Sequence, residues 1–314
     1  MTASGQQATA SEAEDGSGPT YRDFDVPLSL RADFEVQAAR WRDASPGAPA
    51  PDPRRAASVL LLREGASGLE FFTQRRVEHM TFAPGMLVYP GGTVDRHDDD
   101  QIPWERISPA RSLPEWAALM RASEALIRPI LCAAARELFE ECGVLLAGRD
   151  DAPGAVLNDL SHPRWQEHRE KLLDRSMSWA ELLMAEGLIM RSDLLTPIAR
   201  WITPECKPHR FDTSFFAATL PPGQHADGLT TEASLSQWMP ATHALREHVE
   251  GPGTMMTPTQ VLAEQVAAAS DLSAYFATSR TMTPVLTWPV QVNGRWLTRA
   301  PIDASGALTR HREG

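Results

Sequence analysis

Residues 133–146, A-A-A-R-E-L-F-E-E-C-G-V-L-L, decide how the chain is read. Wound as a helix, this stretch sets Glu137, Glu140 and Glu141 at i, i+3 and i+4, so three carboxylates share one face. Ile127, Leu131, Ala134, Leu138 and Cys142 fall on the opposite stripe with core spacing. Gly143 then stands where a helix ends best on a residue without Cβ. Like charges one turn apart repel and destabilise an isolated helix. Either the face is a solvated acidic surface, or its oxygens hold a hard cation such as Mg²⁺ or Mn²⁺ that removes the cost.

Upstream, Phe82-Ala83-Pro84-Gly85-Met86-Leu87-Val88-Tyr89-Pro90-Gly91-Gly92 reads as a short strand over 87–89 running into a glycine pair. Glycines there let backbone approach a phosphate or a metal closely. Set after Pro90-Gly91-Gly92, the run Arg136-Glu137-Leu138-x-Glu140-Glu141-x-Gly143-Val144 resembles the second half of the Nudix box, the signature of a family of diphosphate hydrolases. The resemblance covers roughly residues 56–278. It implies an α/β fold, the Nudix α/β/α sandwich with a mixed sheet, here with helical insertions and a C-terminal extension. It implies Glu140 and Glu141 as primary metal ligands, Glu137 as ligand or general base, and the Gly92 carbonyl as a further ligand. Arg136 then orients the carboxylates and belongs with Glu137 and Glu140 in the catalytic set.

Phe72-Thr73-Gln74-Arg75 through Gly92 is also similar, in part, to the pattern of the coenzyme A diphosphatases of that family. Thr73, Arg75, Gly85, Pro90, Gly91 and Gly92 match, Tyr89 stands for Phe, and Arg76 is out of register. Arg75, Arg76 and Gly91 are thus expected at the substrate, a fixed cation being able to pair with phosphate oxygens. Arg136 lies 44 positions beyond Gly92, an interval that accommodates an insertion of about 30 residues in the box. Asp98 takes the place of the box's first Glu. The insert holds Trp104, Trp116 and helix-like pieces over 114–120 and 122–130, and reads as a wall beside the substrate or as plain packing. Such a split box resembles the branch containing the peroxisomal coenzyme A diphosphatase of animals and its bacterial relatives. Coenzyme A or an acyl derivative is the preferred substrate on that resemblance, with NADH and ADP-ribose as competitors. A catalytically silent nucleotide-binding regulator is the alternative of a different class.

The rest of the chain adds boundaries. Residues 1–20 are expected as a disordered tail and 21–55 as an arm and linker, with a helix over 31–41. The Nudix domain is expected over 56–278, with insertions at about 98–128 and 150–195, and an extension over 279–314. Strands over 57–63 and 69–76 flank Gly65-Ala66-Ser67-Gly68 as a hairpin with a four-residue turn. A helix over 162–173 and a capping box at Ser178 follow. Residues 210–220 read as a core strand that opens with a basic cluster, Lys207, His209 and Arg210, and Arg210 is a candidate phosphate contact. Glu232 precedes a short strand, where the resemblance suggests an extra ligand or base. Residues 242–249 and 257–277 read as helices, and 288–297 as a hairpin around Asn293-Gly294.

A net charge of −11 over 314 residues argues against a nucleic-acid or acidic-membrane binder. It leaves room for a small nucleotide substrate neutralised locally by metal and arginine. Three cysteines without a C-x-x-C pair suit reduced thiols and a cytoplasmic location. No apolar run approaches a membrane span. Oligomeric state is open, a homodimer included.

Overall fold

The computed structural model describes residues 20–44, 49–80, 82–99, 102–108, 110–152, 154–230, 232–251 and 253–302. The tail expected over 1–20 lies almost wholly outside them. In chain order the elements begin with β1 (Thr20–Asp25), α1 (Leu28–Asp43), β2 (Arg54–Gly65), β3 (Gly68–Arg76), β4 (Leu87–Val88) and β5 (Gly91–Thr93). Next come α2 (Trp104–Ile107), α3 (Leu113–Met120), α4 (Glu124–Cys142), β6 (Ala147–Arg149), α5 (Arg164–Leu173), α6 (Trp179–Ala185) and β7 (Leu188–Met190). The last are β8 (Thr196–Ile202), β9 (Phe211–Thr219), β10 (Ala233–Pro240), α7 (Ala241–Glu250), α8 (Thr257–Ala268), α9 (Leu272–Ala277), β11 (Pro284–Leu286), β12 (Trp288–Val292) and β13 (Arg295–Ile302). The described residues form two compact units, one within Arg54–Arg200 and Asp212–Met282, the other within 20–53, Trp201–Phe211 and 283–302.

The larger unit is built on a sheet of order β10-β3-β2-β9-β8, with β4 added to β3 and β5 to β2. β2 pairs antiparallel with β3 and β5. Arg55 meets Asp212 at one end of β9 and the Leu220 N–H donates to the Leu62 carbonyl at the other, so β2 and β9 run parallel and the sheet is mixed. Residues 56–62 of β2 are buried without a break, as a strand covered on both faces must be. Ala57, Val59 and Leu61 join the core with α4, while Leu60 and Leu62 alternate to the far face. Phe72 likewise belongs to the α4 side. Phe71 meets Tyr89 edge to face, and the Tyr89 hydroxyl donates to the Thr259 carbonyl of α8. Helices therefore flank the sheet on both sides: an α/β/α sandwich.

Two local readings are corrected and one is extended. The hairpin turn is two residues, Ala66-Ser67, because Gly65 and Gly68 still pair. The pieces expected over 114–120 and 122–130 are α3 and the first part of α4; Pro129 forfeits one helical bond without ending the helix. The helix expected over 257–277 is two, because Ala269 turns extended and ends α8, and the Asp271 side chain caps α9 by accepting from the Ala274 N–H.

The smaller unit joins the arm to the extension, which the sequence had suggested as separate pieces. β1 pairs antiparallel with β13, and β12 with β13. Asn293 and Gly294 both take positive φ, at 50° and 79°, in the two-residue turn between them. Phe34 and Ala38 of α1 form a small core with Val26, backed by Trp296. Among the described residues, no helix is long and apolar enough to cross a membrane.

Candidate active site

The site is assembled where β5 meets the last two turns of α4. Ile127, Leu131, Ala134, Leu138 and Cys142 are all buried and seat the helix on the sheet. Gly143 closes it at φ 69°, a left-handed position that costs a residue with Cβ. That seating directs the opposite face, with Glu137, Glu140 and Glu141, toward the Gly91-Gly92 corner.

Arg136 organises this face with every donor it has. Its Nε and Nη2 donate to the two Asp98 carboxylate oxygens at 2.7 and 2.9 Å, a bidentate pair. Its Nη1 donates to Glu137 Oε1 at 2.9 Å and Glu140 Oε2 at 3.0 Å, and its Nη2 also to the Thr93 carbonyl at 3.2 Å. Glu141 faces away from Arg136 and accepts the Gly91 N–H at 2.9 Å. A Cβ on Gly91 would lie 2.4 Å from the Ala57 carbonyl, and one on Gly92 2.4 Å from Glu137 Oε1. Gly91 is thus required by close approach to a strand, while a Cβ on Gly92 would meet the movable end of a side chain.

Burial sets the protonation of the cluster. It pushes the Glu137 carboxyl up to about 7, against the pull of Arg136 and helped by the charge on Glu140. Burial raises Glu140 too, again opposed by Arg136, and raises Glu141 well above the carboxylate range, with Glu137 adding to it. Burial alone would lower the Arg136 pKa, but Asp98, Glu137 and Glu140 reverse that and hold it firmly charged. Three carboxylates, Asp98, Glu137 and Glu140, share one buried guanidinium, with Glu141 buried beside them, so the cluster carries surplus negative charge that desolvation makes costly.

The donor chemistry, hard carboxylate oxygens next to backbone without a Cβ, fits Mg²⁺ or Mn²⁺. Among the described residues, however, no three His, Cys, Asp or Glu side chains already stand as a metal site. Arg136 engages one oxygen of each of Glu137 and Glu140, Oε1 of the first and Oε2 of the second, and leaves the other oxygen of each to a ligand.

No family model matches the chain. Its fold is similar to that of a NUDIX hydrolase from Alicyclobacillus acidocaldarius, with a TM-score of 0.60 over 73% of this chain and 98% of that one, at 24% identity. The fold is that of a Nudix hydrolase. The NUDIX domain of Shewanella oneidensis NrtR complexed with ADP ribose is a more distant likeness, with a TM-score of 0.33 and 14% identity over 72% of this chain and 94% of that one.

Within this Nudix fold the expected residues are distributed unevenly. Arg136, Glu137, Glu140, Glu141, Gly91 and Gly92 come together as described. Arg76 pairs with the exposed Glu232 at 3.7 Å, and the charge of each acts on Glu141, so this pair borders the cluster. Arg75 is engaged by Glu247 at 3.4 Å and the Gly85 carbonyl at 3.5 Å. A phosphate at Arg75 has a carboxylate to displace. Arg210 belongs to the smaller unit, and its buried guanidinium donates to the Thr203 and Pro51 carbonyls. That is a structural role in place of the phosphate contact expected of it. Trp116 is fully buried and donates to Ser108 Oγ, so it is core in place of a substrate wall.

Sequence reading placed one residue without its partner and missed another. Asp98 is the principal partner of Arg136; its position matched the box, but nothing local marked the pairing across 38 residues. Arg169, on α5 of the second insertion, is buried and donates to the Glu140 carbonyl at 2.7 Å and to Asp227 at 2.7 Å. It braces the C-terminal end of α4, where a cation suits the helix dipole.

Proposed function

We propose that the chain is a divalent-metal-dependent hydrolase of a diphosphate bond in nucleoside-diphosphate-linked compounds. Coenzyme A or an acyl-coenzyme A is the preferred substrate, giving 3′,5′-ADP and a phosphopantetheine. The observation that carries this reading is the buried carboxylate cluster, Asp98, Glu137 and Glu140 held against one guanidinium with Glu141 beside them, short of positive charge. The preference for coenzyme A rests on the partial match of Thr73, Arg75, Gly85, Pro90, Gly91 and Gly92 to the coenzyme A diphosphatase pattern.

Glu137, Glu140 and Glu141, with the Gly92 carbonyl, would hold the ion. When bound, it lowers the pKa of water and shields phosphate charge. Glu137, beside that site, would take the proton of the attacking water as general base. The water oxygen bonds to phosphorus, a bridging P–O bond breaks, and the electron pair leaves on the departing phosphate. Arg136 keeps the Glu137 and Glu140 carboxylates in place, and Asp98 keeps Arg136 in place. Glu140→Gln tests this. Coenzyme A turnover with Mg²⁺ is expected to fall by at least about a hundredfold while 3′,5′-ADP still binds. Turnover equal to that of the unaltered protein would refute the assignment.

A further inference from the structure

Beside the carboxylate cluster lies a cleft of about 360 Å³ lined by Arg54, Thr93, Val94, Asp95, Arg96, His97 and Arg175. Its size is at the lower end of ligand pockets, enough for a phosphorylated sugar. Three arginines against one aspartate give the wall a formal charge of +2 on a chain whose net charge is −11. Such a local reversal focuses anions. Arg54, Arg96 and Arg175 are exposed to solvent and reachable by a ligand.

The cleft adjoins the site through Thr93. Thr93 directly follows Gly91-Gly92, its carbonyl accepts from Arg136, and its hydroxyl accepts from Arg54 Nη2 at 3.5 Å. Arg175 pairs with Asp95 at 3.1 Å, and its charge also acts on Glu140. Arg175 itself follows the C-terminal end of α5 at φ 63°, the left-handed position in which helices commonly end.

We propose that this cleft is a phosphate subsite, in which Arg54, Arg96 and Arg175 hold a phosphate group of the nucleotide substrate beside the carboxylate cluster. The identity of the ligand as a nucleotide rests on the hydrolase reading above. The phosphate comes either from a monoester elsewhere on the nucleotide, such as a 3′-phosphate, or from the diphosphate itself, and the chemistry of recognition is the same.

The test is calorimetric titration of the full chain, and of Arg54→Gln, Arg175→Gln and the double variant, with 3′,5′-ADP and with AMP at one fixed salt concentration. Both arginines are exposed, so the variants are expected to fold, which circular dichroism checks. The double variant is expected to bind 3′,5′-ADP at least about tenfold more weakly. AMP affinity left intact assigns the cleft to the monoester; an equal loss for AMP assigns it to the diphosphate side. Unchanged affinity for both ligands, or no binding of either by the unaltered chain, overturns the subsite. The two readings fail separately. A chain that binds through these arginines yet hydrolyses nothing refutes the hydrolase and keeps the subsite, while hydrolysis of coenzyme A with 3′,5′-ADP affinity indifferent to the double variant does the reverse.

Discussion

Asp98 and Arg136 form the hinge of the site at the scale of single residues. Asp98 is buried, takes two of the guanidinium's bonds and also accepts the Asp95 N–H at 2.7 Å. Asp98→Ala would leave a buried guanidinium without its main partner, and urea unfolding should report a loss of about 3–5 kcal/mol. A loss under about 1 kcal/mol would mean that Glu137 and Glu140 alone satisfy Arg136. The two glycines separate structure from chemistry. Gly91→Ala forces a Cβ against the β2 backbone and should lower the melting temperature. Gly92→Ala presses instead on the movable Glu137 carboxylate, so its larger effect should be on turnover. Glu137 also predicts a pH dependence. Its folded pKa of about 7 lies above the reference value of 4.5, so the folded state binds the extra proton between them. The stability this contributes is complete below about 4.5 and is lost as pH rises through about 7. Without metal, the melting temperature should fall between about pH 5 and pH 8, and Glu137→Gln should flatten part of that slope. An identical slope in the variant would rule out the assigned shift.

At the scale of elements, α4 carries the site and is held by local and distant means. The local part was legible in the sequence. The 3.6-residue stripe ending at Cys142 is buried as expected, Gly143 caps as expected, and Asn293-Gly294 makes its turn. Each of these depends on neighbours a few residues away, so the sequence pattern records it. The break between α8 and α9 was also written locally, in the capping Asp271, but the alanine-rich run around it masked the signal. What was not legible depends on the assembled fold: Asp98 under Arg136, Arg169 under Glu140, and Arg210 diverted to two carbonyls. None of these follows from spacing. The α5 brace gives a prediction of its own. Arg169→Met keeps the aliphatic bulk but releases the Glu140 carbonyl and Asp227, and should cost about 2–4 kcal/mol by urea unfolding. Loss of turnover should exceed what unfolding explains, because the end of α4 that carries Glu140 and Glu141 is no longer fixed.

On the scale of the molecule, the chain concentrates negative charge in one buried cluster and positive charge in the cleft beside it. A divalent cation that binds the cluster has to compete with protons for Glu137, Glu140 and Glu141, all of which hold theirs more tightly than free carboxylates. Mg²⁺ should therefore raise the melting temperature more at about pH 8 than at about pH 5, and the effect should vanish in Glu140→Gln/Glu141→Gln. An equal rise at both pH values would place the ion elsewhere. The central claim concerns chemistry, and product analysis reaches it most directly. The purified chain is incubated with coenzyme A, acetyl-coenzyme A, NADH and ADP-ribose, with Mg²⁺ or Mn²⁺ and with chelator, and the phosphate products are identified. Release of 3′,5′-ADP from coenzyme A that needs the metal and stops with chelator is the predicted result. Cleavage of none of the four diphosphates in the presence of either metal would contradict it.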